Sequence, residues 1–312
     1  MSIQITTAMV NQFSANVFHL SQQKGSRLRG LVRTESQKAE AAFHDRIGSV
    51  DPQKKVGRHS DTTYQDTPHS RRKITLEDYF FADLVDKEDK IRILQSPESE
   101  YTKAAMMSLG RGMDDELIAA AVGSSYAGKA GGTPVVLPNG QKIGAFAGDG
   151  TSTVGSKLNV PTLRATKKVF NQNETGESDL NFCFDSEQLD ALLGETEVTS
   201  SDYAAVKALV MGDVDTFMGF KFVRSERLLV TAASTAASPT DGSVGAGLNV
   251  IPAGSTRCFA WQKEGLLLAI GQDMQAKLDI MPSKHYAVQV YASMGIGATR
   301  LEEEKVVEVI CI

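Results

Sequence analysis

The sequence predicts an α+β fold with an extended front end, on three observations. Tyr101, Ala105, Leu109, Met113, Leu117 and Ala121 recur every fourth residue, which is one apolar stripe along a long helix. Tyr286, Val288, Val290, Ala292, Met294 and Ile296 alternate with their neighbours, which is the period of a strand. Residues 1–41 are polar with scattered apolar anchors, too thin to build a core alone. No internal repeat interrupts this order.

The chain has 312 residues and a net charge of −5, with 41% hydrophobic residues. That supports a packed core and excludes wholesale disorder. The length suggests about two domains at ~150 residues each. The charge is uneven. Residues 1–73 carry twelve Lys and Arg against six Asp and Glu, a net +6, which leaves −11 for the rest. A basic front end on an acidic body reads as an arm that seeks an acidic partner. The acidic total argues against a dedicated nucleic-acid binder.

From the N-terminus, Val10, Phe13, Val17 and Leu20 fit one short helical face, followed by Arg27, Arg29 and Arg33. This segment must lie on its own body or on a neighbour's. Residues 44–75 hold few aliphatics and are too long for an ordinary connection. With the Asp51-Pro52 turn signal they read as a long projecting β-hairpin that reaches for a partner. Its cations include Lys54, Lys55, Arg58, Arg71, Arg72 and Lys73.

The long helix is expected over 96–123, with Ser96 as N-cap, Pro97 in the first turn and Gly123 closing it. Gly110 and Gly112 inside it each cost about 1 kcal/mol and imply a bend or a close contact. Residues 128–158 are rich in Gly, Ser and Thr, with a turn at Pro138-Asn139-Gly140. A helix starts at Pro161, anchored by Leu163, Val169 and Phe170. Residues 180–184 alternate like a strand. Asp185 and Gln188 resemble a capping box for a helix that ends at Gly194. Another helix is expected over Ser201–Gly212, strand material over Phe217–Leu229, and a small-residue loop over Thr231–Ser255. Leu266–Ile270 is a short buried run, and Val306–Ile312 a final strand.

The sequence carries no recognisable catalytic constellation. Gly128-Lys129-Ala130-Gly131-Gly132-Thr133 is not a phosphate-binding loop, since glycines and lysine stand in the wrong order. His59, Asp61, Asp66 and His69 match no compact metal site, and read as a solvated arm. His285 reads as structural. Cys183, Cys258 and Cys311 each sit in an apolar run and read as buried free thiols of a reducing cytosol. Neither cofactor nor metal is expected, and the protein does not read as an enzyme. The N-terminus has no basic signal region, and no stretch approaches the ~18 apolar residues of a membrane span. Glu302, Glu303 and Glu304 read as a solvated turn that can also meet a basic arm.

The order of arm, projecting loop, long helix and compact acidic body resembles the major capsid proteins of tailed bacteriophages, which share the Hong Kong 97-type capsid fold. The wording of several segments resembles one phage capsid family. These are Phe13-Ser14-Ala15-Asn16-Val17-Phe18, Phe217-Met218-Gly219-Phe220-Lys221-Phe222, Cys258-Phe259-Ala260-Trp261 and Gly297-Ala298-Thr299-Arg300-Leu301-Glu302-Glu303-Glu304. By position, the resemblance implies an N-terminal arm at 1–41 and an extended loop at 42–76. It implies a peripheral domain at 77–127 and 272–312, and an axial domain at 128–271. It further implies a shell of pentamers and hexamers around double-stranded DNA, located in the virion and assembled in the bacterial cytoplasm. Phe13, Phe18, Arg27, Arg29, Arg33, Lys54, Lys55, Arg58, Arg71, Arg72, Lys73, Glu302, Glu303 and Glu304 become subunit-contact candidates. A separate scaffolding protein is expected because no long scaffolding segment precedes the arm; a portal and decoration proteins are further partners. Some relatives cross-link a loop lysine to a neighbour's asparagine, but nothing around Lys54 or Lys55 specifies that chemistry. The competing readings are an encapsulin-type bacterial compartment of the same fold, a metabolic enzyme using the glycine-rich loop, and a minor virion protein.

Overall fold

The computed structural model describes residues 22–55, 57–58, 61–62, 64–85, 98–144, 157–176, 178–194, 216–230 and 254–312. The expected short helix over Val10–Leu20, the caps at Ser96 and Pro97, the helix over Ser201–Gly212 and most of the loop over 231–255 lie outside these residues. The described chain falls into two compact units. Unit 1 comprises the described parts of Met1–Ser26, Glu77–Met113 and Gly271–Ile296. Unit 2 comprises the described parts of Arg27–Leu76, Asp114–Ile270 and Gly297–Ile312.

The long helix α1 is Glu98–Val122, as the stripe requires. Ala105, Leu109, Met113, Leu117 and Ala121 are buried, while Tyr101 at the start is exposed. Gly110 marks a close contact: a Cβ there would lie 2.6 Å from the Cα of Gly25. In unit 1, Glu77–Val85 (β4) pairs antiparallel with Ala287–Arg300 (β13) from Glu77↔Ile296 to Val85↔Val288. β4 alternates exposed and half-buried residues along its length. No helix among the described residues is long and apolar enough to cross a membrane.

Unit 2 is built on a six-stranded mixed sheet. Its order is Lys142–Gly144 (β7), Val306–Cys311 (β14), Thr256–Gln262 (β11), Leu180–Phe184 (β8), Phe220–Arg224 (β10) and Thr216–Phe217 (β9). β8 differs from the expected alternation: all five residues are buried. Strands flank it on both edges, and the side chains on both of its faces are buried. Phe182 stands edge-on to Phe220 and Phe222 at 6.0 and 5.8 Å, an arrangement favoured by the ring quadrupoles. The material expected over 217–229 is a tight hairpin and a turn. Met218 and Gly219 take positive φ of 53° and 85° between β9 and β10, the turn that matches the twist of paired strands.

Two helices with legible caps pack on this unit. Helix α2 is Val160–Gln172, and the Asn159 side chain accepts from the Thr162 amide. It lies against β7 and β14. Helix α3 is Ser186–Leu193, and Asp185 accepts from the Gln188 amide at 2.8 Å. Gln188 does not complete the box; its side-chain oxygen instead accepts from the Leu158 amide at 2.7 Å. The three cysteines are free and buried.

The segment Arg27–Ser36 lies on the chain's own unit. Leu28 and Val32 are buried. The Arg27 and Leu28 amides donate to the buried Asp114 carboxylate at 3.0 and 3.2 Å. Trp261 Nε1 donates to the Leu31 carbonyl at 3.0 Å. Arg33–Ser36 (β1) then pairs in parallel with Leu267–Ile270. Those residues open Leu266–Met281 (β12), much longer than the apolar run that announced it.

Candidate assembly interface

The projecting loop has a hairpin stem. Ala41–Ile47 (β2) pairs antiparallel with His69–Thr75 (β3), and the Gly48 amide continues the ladder to the Pro68 carbonyl at 2.8 Å. Period two divides the stem into two faces. On one, Ile74 packs into a cluster with Leu267, Ala269 and Leu301, flanked by Ala42 and Leu76. On the other, Phe43 and Ile47 are exposed, and Arg71 lies over the Phe43 ring at 5.4 Å while pairing with Asp45 at 2.5 Å. The Arg71 guanidinium beside Asp45 holds its carboxyl below the ordinary range. Beyond the stem, the described residues between 48 and 68 are exposed throughout. Val50 and Tyr64 lie among them, Tyr64 with 92% of its surface open. Lys54, Lys55 and Arg58 lie there too, solvated.

The stem is fixed to its unit by a shared carboxylate. Glu303 receives Arg46 at 3.2 Å and Arg72 at 2.5 Å, and Arg300 stands 3.8 Å away. Arg46 also donates to the Leu301 carbonyl at 2.5 Å. Three cations from β2, β3 and β13 thus converge on one acid. Arg72 and Arg300 are buried, and burial lowers the pKa of both. Arg300 has a second task. Its guanidinium donates to the carbonyls of Ala121, Gly123 and Val135 at 3.0, 2.8 and 3.1 Å. The last turn of α1 contains no basic residue, so its orphan carbonyls and the negative end of its dipole are met from a distant strand. Arg257 completes this end, reaching the Val122 carbonyl at 3.0 Å while paired with Glu308.

The contact candidates therefore separate. Arg72 and Glu303 are engaged within the chain. Glu302 pairs with Lys305 at 3.1 Å, and Glu304 is exposed with its main-chain oxygen accepting from Asn173. Arg33 pairs with Glu35 and Glu264 at 2.6 and 3.3 Å. Arg27 is exposed and donates to the Arg224 carbonyl at 2.5 Å. Arg29 and Lys73 are half-buried; a Cβ at Gly131 would lie 2.3 Å from Lys73 Cδ, so that turn needs glycine. Phe13 and Phe18 lie outside the described residues. Sequence reading missed Arg46, Arg257, Arg300 and Asp114. The one local signal was Arg300 three residues before Glu303.

A family model described as phage capsid protein matches residues 5–312. The chain belongs to the phage capsid protein family. Its structure is similar to the capsid of cyanophage P-SCSP1u, with 15% identity, 99% of this chain and 94% of that chain covered, and a TM-score of 0.72. It is similar to the capsid of Helicobacter pylori bacteriophage KHP30, with 10% identity, 100% and 97% covered, and a TM-score of 0.71. It is likewise similar to the capsid of cyanophage Pam1, with 12% identity, 98% and 97% covered, and a TM-score of 0.68. Comparison with curated proteins gave no significant match. The fold is thus the Hong Kong 97-type capsid fold expected from the sequence, and the capsid protein's role is that of a shell subunit. The matches favour neither the compartment nor the enzyme reading.

Proposed function

We propose that this capsid protein is the principal subunit of an icosahedral head, assembling with itself into pentamers and hexamers around double-stranded DNA. The exposed hairpin loop carries the reading. It presents Ile47, Val50 and Tyr64 to solvent on a stem that a buried arginine cluster holds in place. A segment with so little of its own core is ordered at a neighbour's surface, where coupled ordering keeps each contact weak enough to correct. We assign 1–41 to an arm, 42–76 to the extended loop, 77–127 with 272–312 to a peripheral domain and 128–271 to an axial domain. The basic front end is drawn to acidic bodies of neighbouring copies, which adds a salt-dependent term to assembly. The role is structural, without catalysis. A separate scaffolding protein and a portal complete the assembly in the host cytoplasm.

Electron microscopy of the full chain, alone and with its scaffold, tests this. Closed shells are the expected result; a discrete small oligomer under both conditions overturns it. Replacing 49–67 by a short Gly/Ser link should leave a folded subunit that closes no shells. An arm truncation should stop before Arg27, because Leu28 and Val32 belong to the subunit's own core.

A further inference from the structure

The described arginines of unit 2 are mostly matched to acids. Arg33, Arg46, Arg71, Arg72, Arg224, Arg227, Arg257 and Arg300 each face a carboxylate. Helix α2 breaks this habit. Its sequence from Val160 to Gln172 contains no acid, and among the described residues Arg164, Lys167 and Lys168 form no ion pair. The three line an open depression of about 430 Å³ with Asn171, Gln172 and Met218. The opposite face of the helix is anchored by buried Leu163, Val169 and Phe170, so the row is held on a rigid support. Lys167 is half-buried, with its ammonium 5.9 Å from the Phe220 ring centroid.

We propose that this face of α2 binds the phosphate backbone of duplex DNA. Arg164 and Lys168 stand about 6 Å apart along the helix axis, one turn. A duplex strand presents one phosphate per ~3.4 Å of its own axis, so a rigid row of cations meets several charges at once. Arg164 supplies a planar fork suited to phosphate oxygens, and the Asn171 and Gln172 amides add neutral donors. The carboxylates of a second copy of this chain are the alternative occupant. Shell closure with and without the row separates that occupant from DNA. The inference rests on reading the protein as a DNA-enclosing shell, and gives that acidic subunit one local place where the polymer is attracted.

The test is fluorescence anisotropy of a labelled 30-base-pair duplex with unassembled full-length protein, titrated between 50 and 200 mM salt. The variant Arg164→Ala/Lys167→Ala/Lys168→Ala removes three phosphate contacts, so the slope of log K against log salt should become shallower by about 2.7. The wild-type chain then loses about 40-fold more affinity than the variant across that range. The control Lys54→Ala/Lys55→Ala/Arg58→Ala removes equal charge elsewhere and should change the slope far less. An equal change in the control, an unchanged slope in the α2 variant, or no binding by wild type at 50 mM salt overturns the proposal. So does an α2 variant that keeps the wild-type slope but closes no shells, since the face is then a protein contact. Shells that form normally beside an unchanged slope defeat only this inference; absence of shells from wild type defeats the functional reading.

Discussion

Replacing Glu303 by leucine strikes the point where three arginines meet. Arg46 has a quarter of its side chain open, so water takes over part of its solvation. Arg300 keeps three carbonyl acceptors. Arg72 decides the cost, because its side chain is 4% exposed and Glu303 is its ion-pair partner. Stranding one partner of a buried pair costs ~3–5 kcal/mol. With Arg300 still satisfied and Arg46 partly wet, the lower end applies, about 3 kcal/mol. Urea unfolding of the unassembled subunit reads this as a fall in midpoint of about 1 M at a slope near 3 kcal/mol/M. The double variant Arg72→Met/Glu303→Leu should recover at least half of the loss, since an apolar pair in the same space strands no charge. A single variant within 0.5 kcal/mol of wild type, or a double variant no better than the single, would refute this account of the cluster.

Gly110→Ala should destabilise by about 1–2 kcal/mol despite better helix propensity, because its Cβ would meet the Gly25 backbone at 2.6 Å. Gly112→Ala, where the nearest atom is the Met294 methyl at 3.5 Å, should gain about 1 kcal/mol; chemical unfolding of the pair checks both signs. An aromatic disulfide reagent should find no reactive thiol in the native protein and three after unfolding, since burial raises the Cys183 thiol well above its ordinary range and all three cysteines are enclosed. Arg71 holds Asp45 below its ordinary value of 3.8, so this pair contributes fully above that pH and fades as pH falls through the lowered value. Carboxyl NMR of Arg71→Ala should show Asp45 returning towards 3.8.

What the sequence made legible was local. Asp185 and Gly194 bracket a helix because capping is a matter of three or four residues, and α1 followed from a stripe that any helix must repeat. Strands were read where one face is dry and the other wet. β8 has no wet face, and its alternation of Phe182 with Cys183 meant less than expected. The outer half of β12 has no dry face, so Gln272, Asp273, Gln275 and Lys277 concealed a strand that continues to Met281. The site suffered most from distance. Arg72 and Glu303 were both singled out as charges, yet 231 residues separate them, and charge alone names no partner. The same separation hid Arg300 as the cap of α1, because caps are sought next to the helices they serve.

That separation has a consequence during synthesis. The stem strands leave the ribosome well before the acid that fixes them, since Glu303 follows Arg72 by 231 residues. Until Glu303 and Arg300 emerge, the stem lacks its shared carboxylate, and the Ala121 and Gly123 carbonyls at the end of α1 lack their guanidinium. A nascent or truncated chain therefore does not hold its hairpin as a finished chain does. The fixed posture of the hairpin is thus a late product of translation, set by an acid 231 positions downstream of Arg72.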